Sequence, residues 1–86
     1  MATIPTIHLN GTGGDSLKQE YHAAYKAIDA AMDALYDATL NGRDYYPQGA
    51  GAYSQARAER DAAFKQLREA QAYVEAMLAG ICDQLP

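Results

Sequence analysis

Apolar residues recur along this 86-residue chain in two long runs at helical spacing. In the first run Leu17, Tyr21, Ala24, Ile28, Ala31, Leu35 and Thr39 alternate steps of four and three. That is the seam of a helix that packs on a neighbour as in a coiled coil. Tyr25, Met32 and Tyr36 form a second apolar line on an adjoining face. In the second run Tyr53, Ala56, Arg60, Ala63, Leu67, Ala70, Val74, Met77 and Ile81 alternate three and four, flanked by Phe64, Gln71 and Leu78. The pattern predicts helices over about residues 16–40 and 52–82, joined by a loop over 41–51. Asp15 is the expected N-cap of the first helix, with Ser16 and Gln19 as a capping box one residue later. Asn41-Gly42 is expected to end that helix, through the left-handed backbone these residues tolerate. Pro47 is expected to push Tyr46 toward an extended conformation. Gly80 and Pro86 mark fraying at the end of the second helix.

The first fourteen residues break this pattern. Residues 3–9 carry the β-branched Thr3, Ile4, Thr6 and Ile7 around Pro5, which predicts a short extended arm confined to an edge position. Asn10-Gly11-Thr12-Gly13-Gly14 follows as a flexible connector. No second strand is visible, so the arm pairs with another copy or a partner, lies on the helices, or stays loose. The chain therefore divides into an extended arm and connector, 1–14, and a helical hairpin, 15–86. A short connection makes the helices antiparallel neighbours. Folding them together puts Arg57 near residues 35–37, Arg60 near Met32 and Asp33, and Phe64 near Ile28. The predicted fold is all-α: an antiparallel two-helix hairpin with a short N-terminal extended arm. Two apolar lines on one helix exceed what a single neighbour covers. With one Phe and no Trp, the alanine-rich helices also bury little area per residue. A homo-oligomer, dimer or larger, is expected, its hairpins assembling into an antiparallel four-helix bundle.

Charge narrows the list of partners. The formal net charge of −4 argues against nucleic acid and against anionic membranes. The first helix carries Asp15, Glu20, Asp29, Asp33 and Asp37 against Lys18 and Lys26, whereas Arg43, Arg57, Arg60, Lys65 and Arg68 fall in the loop and the first half of the second helix. Acid–base pairing between the helices is the simplest account of that asymmetry. A single cysteine, Cys82, excludes an intramolecular disulfide and a cysteine-based zinc cluster. Residues 1–9 lack the basic and apolar regions of a signal peptide, and no stretch approaches the ~20 apolar residues that span a bilayer. A cytoplasmic setting is expected.

The segment Asn41-Gly42-Arg43-Asp44-Tyr45-Tyr46-Pro47-Gln48-Gly49 holds residue types that turning the chain does not require. Arg43, Asp44, Tyr45, Tyr46, Tyr53, Arg57 and Arg60 should gather at the loop end and are the candidate binding residues. Arg60 is the sharpest anomaly, because it stands in the apolar seam, where an arginine must be paired or reach outward. Three readings follow: Arg60 pairs with Asp33 or Asp37 and Arg43 with Asp44 while the tyrosines pack the end; tyrosine and arginine form a protein-binding surface; or guanidinium groups hold a nucleotide-like anion beside stacked tyrosines. Asp29, Asp33 and Asp37 make a carboxylate stripe, but no Glu-x-x-His accompanies it and neither His8 nor His22 has a ligand at a recognisable spacing, so no metal and no cofactor is expected. Ser16 and Ser54 sit at helix starts, and Cys82 stands beside Asp83, which disfavours a thiolate. The glycine-rich connector lacks the lysine and preceding strand of a phosphate loop. No catalytic residue is identified, and an enzyme is not expected.

Ile7-His8-Leu9-Asn10-Gly11-Thr12, the alanine-rich helix after it and the Asn-Gly-Arg-Asp-Tyr-Tyr-Pro block at 41–47 together resemble a family of small phage- or prophage-encoded bacterial proteins. The resemblance spans nearly the whole chain, with only the central block specific. It implies a bacterial or phage origin and a cytoplasmic setting. No reaction comes with it, so no catalytic residue is carried over. The reading reached from the residues is a small non-enzymatic interaction protein that binds a host or phage protein through its loop end, with a small-anion binder as the alternative.

Overall fold

The computed structural model describes residues 2–86; Met1, the first residue of the expected arm, lies outside them. Helix α1 spans Gly14–Asp37 and helix α2 spans Ala52–Cys82, with a 3₁₀ turn, Gly42–Gln48, between them. The two helices pack antiparallel in an all-α hairpin, with no strand among the described residues. The molecule is a rod of 62 × 22 × 17 Å.

The half-buried seam of α1 follows the expected Leu17, Tyr21, Ala24, Ile28 and Leu35, but Met32 replaces Ala31, and Thr39 lies beyond the helix. On α2 the same slip occurs, with Gln71 inward and Ala70 exposed. Each change is local, since the line returns to the expected Leu35 on α1 and to Val74, Met77 and Ile81 on α2.

Both ends of α1 differ from expectation. The helix starts at Gly14 after Gly13, which makes no side-chain cap, and Asp15 sits inside the first turn. Packing rather than capping fixes this start. A Cβ on Gly14 would stand 2.5 Å from Leu85 Cδ2 and 2.9 Å from Ile7 Cδ1. Asp15 instead meets the positive end of the helix dipole. At the other end α1 stops at Asp37, and Ala38 leaves in an extended conformation (φ −65°, ψ 131°). Asn41 is not a C-cap: its side chain accepts from the Arg43 N–H at 3.1 Å and opens the 3₁₀ turn. A side-chain amide that satisfies a nearby backbone donor favours such a turn over helix. Tyr46 and Pro47 both lie within that turn rather than in extended backbone, because the fixed proline φ matches 3₁₀ geometry. Gly49 (φ 99°) and Gly51 (φ 89°) then supply the positive φ that redirects the chain into α2.

Residues 38–41 run past the end of α1 before the turn reverses direction, so the first turn of α2 packs on the 3₁₀ segment. Arg60 reaches along the seam to the carbonyls of Leu35 and Tyr36, past the expected Met32 and Asp33.

Among the described residues the buried apolar side chains are Val74, Met77 and Ile81, of which Ile81 is fully buried, all near the C-terminal end of α2. They are buried there because the arm lies on the helices. Ile4 crosses Gly80 so closely that a Cβ on that glycine would stand 2.6 Å from Ile4 Cγ2. The Gln84 amide fastens the arm from both of its ends: Nε2 donates to the Pro5 carbonyl at 2.8 Å, and Oε1 accepts from the Ile7 N–H at 2.8 Å. Gly80 thus marks a close crossing inside a helix that continues to Cys82, not a frayed end.

Candidate functional site

The opposite end of the rod carries two adjoining grooves that share Tyr53. The larger is an open cleft of about 980 Å³ between the helices. Tyr36, Asp37 and Leu40 line it from the α1 side, and Arg57, Arg60, Asp61, Phe64 and Arg68 from α2. The smaller, about 350 Å³, lies between the 3₁₀ turn and the start of α2, among Tyr45, Tyr46, Tyr53 and Ser54.

Arg60 has a structural task. Its Nη2 donates to the Tyr36 carbonyl at 2.7 Å and to the Leu35 carbonyl at 3.0 Å. These carbonyls belong to the last turn of α1, where the helix itself supplies too few donors and the dipole is negative. The expected pairing of Arg60 with Asp33 or Asp37 is therefore replaced by a cap delivered from the other helix. Its guanidinium carbon also sits 5.5 Å from the centre of the Phe64 ring, so the long side chain fills the seam while its charge serves the helix end. Another polar link between the helices likewise uses a neutral group, with Gln71 Nε2 donating to Asp29 Oδ1 at 2.7 Å.

Tyr53 is the hinge of the site. Its ring lies 6.2 Å from that of Tyr45 at an interplanar angle of 48°, and the Arg57 guanidinium stands 5.8 Å from its centre. Both are ordinary attractive geometries for an aromatic pair and for a cation over a ring. Outside this cluster Tyr36 and Tyr46 project into solvent, 75 % and 74 % exposed.

Of the residues singled out in the sequence, Tyr45, Tyr46, Tyr53, Arg57 and Arg60 do come together at the grooves. Arg43 and Asp44 are exposed and line neither groove. Sequence reasoning missed Tyr36, Asp61, Phe64 and Arg68 as groove residues. The signal was present in the spacing: Arg57, Arg60, Asp61, Phe64 and Arg68 recur at three and four residues and so share one face of a helix. Comparison with known proteins adds no relative: no family model matches the chain, and neither curated proteins nor solved structures give a match.

Proposed function

We propose that the chain is a small non-enzymatic interaction module, of phage or prophage origin and cytoplasmic, that presents its loop end to another protein. The observation that carries this reading is a pair of projecting tyrosines on adjoining grooves, Tyr36 at the larger one with Arg57 and Arg68 on its wall and Tyr46 at the smaller. Tyrosine and arginine are enriched among the residues that dominate protein–protein binding energy.

The alternative, a nucleotide-like anion, is less well supported. Small-ligand sites are concave and converge a few polar groups on one point. This cleft is open, Asp37 and Asp61 share its lining, and Arg60 is already committed to the carbonyls of α1.

The test is comparative capture from bacterial lysate on immobilised wild type and on a Tyr46→Ala/Arg57→Ala double variant. A protein retained by the wild type and lost from the variant, with helicity by circular dichroism unchanged, supports the reading. Equal retention on both, or none on either, overturns it. A bound mass of a few hundred daltons in native mass spectrometry, lost with Arg57→Ala, would establish the anion reading instead.

A further inference from the structure

The hairpin is covered on its seam at one end only. At the arm end a third segment lies over the two helices, and Val74, Met77 and Ile81 are buried. Toward the loop end no segment among the described residues plays that part, and Ile28, Met32, Leu35, Phe64 and Leu67 stay only half-buried although they face the neighbouring helix. The accessible surface is 6410 Å², whereas a compact protein of 9.3 kDa exposes about 5,000 Å². The excess, about 1,400 Å², exceeds the roughly 800 Å² each partner contributes to a stable interface.

The charges around the cleft say what fits it. Its α1 side presents the exposed carboxylate of Asp37 and its α2 side the exposed Arg57 and Arg68, with Asp61 among them. Outside the lining, exposed Asp33 stands one turn before Asp37 and exposed Lys65 one turn after Asp61. The polar links within the hairpin use neutral partners instead, Arg60 with carbonyls and Asp29 with Gln71. A surface with one acidic and one basic edge is complementary to itself under a two-fold rotation about an axis parallel to the helices, which lays α1 of one copy over α2 of the other at the same level.

We infer that the larger groove is closed by a second copy of this chain, in a two-fold dimer whose four helices alternate in direction. The register set by Arg60 against Leu35 and Tyr36 puts Asp37 of each copy level with residues 58–59 of the other, within reach of the long Arg57 side chain, and Asp33 level with residues 62–63. Each helix then has antiparallel neighbours, so the dipoles are also matched. The half-buried seam becomes the core of a bundle, and the two Tyr45–Tyr46 faces are brought to the same end. This inference rests on the reading of the loop end as an interaction surface and names the partner of its larger groove.

Sedimentation velocity tests it through a paired charge reversal. Wild type at micromolar concentration is expected to sediment as a dimer. Asp37→Arg alone sets arginine against Arg57 at both symmetry-related contacts, and Arg57→Asp alone sets aspartate against Asp37. Each single variant is expected to weaken the dimer about tenfold or more, since like charges facing across an interface are strongly disfavoured. Mixing the two variants restores both contacts and is expected to bring back a heterodimer of near wild-type affinity. Both positions are exposed, so both variants should keep wild-type helicity by circular dichroism. A monomeric wild type overturns the inference whatever the variants do. Single variants that dimerise as the wild type does, or a mixture that stays monomeric, overturn the geometry. A monomeric wild type that still captures a protein lost on Tyr46→Ala/Arg57→Ala would sink the dimer and leave the proposed function standing.

Discussion

The two ends of this rod are built from the same helices and differ in how many layers cover the seam. At the arm end three segments meet, and Ile81 has 0 % of its surface exposed. At the loop end two helices and a 3₁₀ turn meet, and Phe64 and Leu35 remain half-exposed. A two-helix interface can shield a side chain from only one side, so burial in so small a chain requires a third element. The arm supplies it at one end, and the open cleft at the other shows what the hairpin looks like without it. Buried core and open cleft are thus separated along the length of the molecule.

The contrast is sharpest for apolar truncation. Ile81→Ala removes a fully buried side chain and should cost about 2–5 kcal/mol. In a chain of this size that is much of the total stability. Tyr46→Ala at the loop end removes a larger side chain from solvent and should change stability by less than about 0.5 kcal/mol. Urea melts of both variants decide it. Similar losses for the two would mean that the ends share one cooperative core.

Glycine substitution probes the same difference through close approach. Alanine at Gly80 gains about 1 kcal/mol of helix propensity, but its Cβ would meet three Ile4 side-chain atoms at 2.6–2.8 Å, and overpacking costs about 1–3 kcal/mol. The net expectation is a loss, with the arm lifted and the Ile7 amide exchanging faster once its bond to Gln84 is broken. Alanine at Gly42 would meet Tyr53 at 3.8 Å, an ordinary contact, and should be tolerated. Hydrogen exchange on both variants reads this directly. An unchanged Ile7 amide in Gly80→Ala would mean that the arm is not pinned at Gly80.

How legible each end was in the sequence follows from the same physics. The helices, their antiparallel pairing and most of the seam could be read because period and loop length are local properties. Residues such as Leu17, Ile28 and Leu67 face inward as their spacing requires. The role of Gly80 could not be read, because it depends on a side chain 76 positions away in the arm. Nor could the start of α1, which Ile7 and Leu85 determine together. At the candidate site the tyrosines were legible as anomalies of type. Arg60 was legible as an anomaly of position but not of purpose, since its partners are backbone carbonyls that no residue pattern encodes.

Arg60→Ala tests that purpose. It removes two charge-assisted bonds to the last turn of α1 and should cost about 1–2 kcal/mol, with faster amide exchange confined to the end of α1. Arg57→Ala, in the same groove but without such carbonyl bonds, should leave monomer stability nearly unchanged. If both variants melt alike, the cap from α2 does not hold the end of α1.

The smallest expected effect lies between the two ends, where Tyr21 of α1 meets Tyr73 of α2. Burial raises the Tyr21 pKa above its ordinary value of 10, and the Tyr73 hydroxyl beside it and the Glu20 carboxylate push it further in the same direction. The fold therefore favours the neutral phenol. Its contribution is fully present below pH 10 and is lost as the pH rises past that value through the raised folded pKa. Other tyrosines and the lysines titrate in the same window, so the informative quantity is the difference between wild type and Tyr21→Phe. Thermal melts from pH 8 to about 11 should show a steeper alkaline fall for the wild type than for the variant. Parallel curves would mean that the helices separate freely enough at this level for Tyr21 to titrate as it does in water, and the covered part of the seam would then begin closer to the arm than Tyr21.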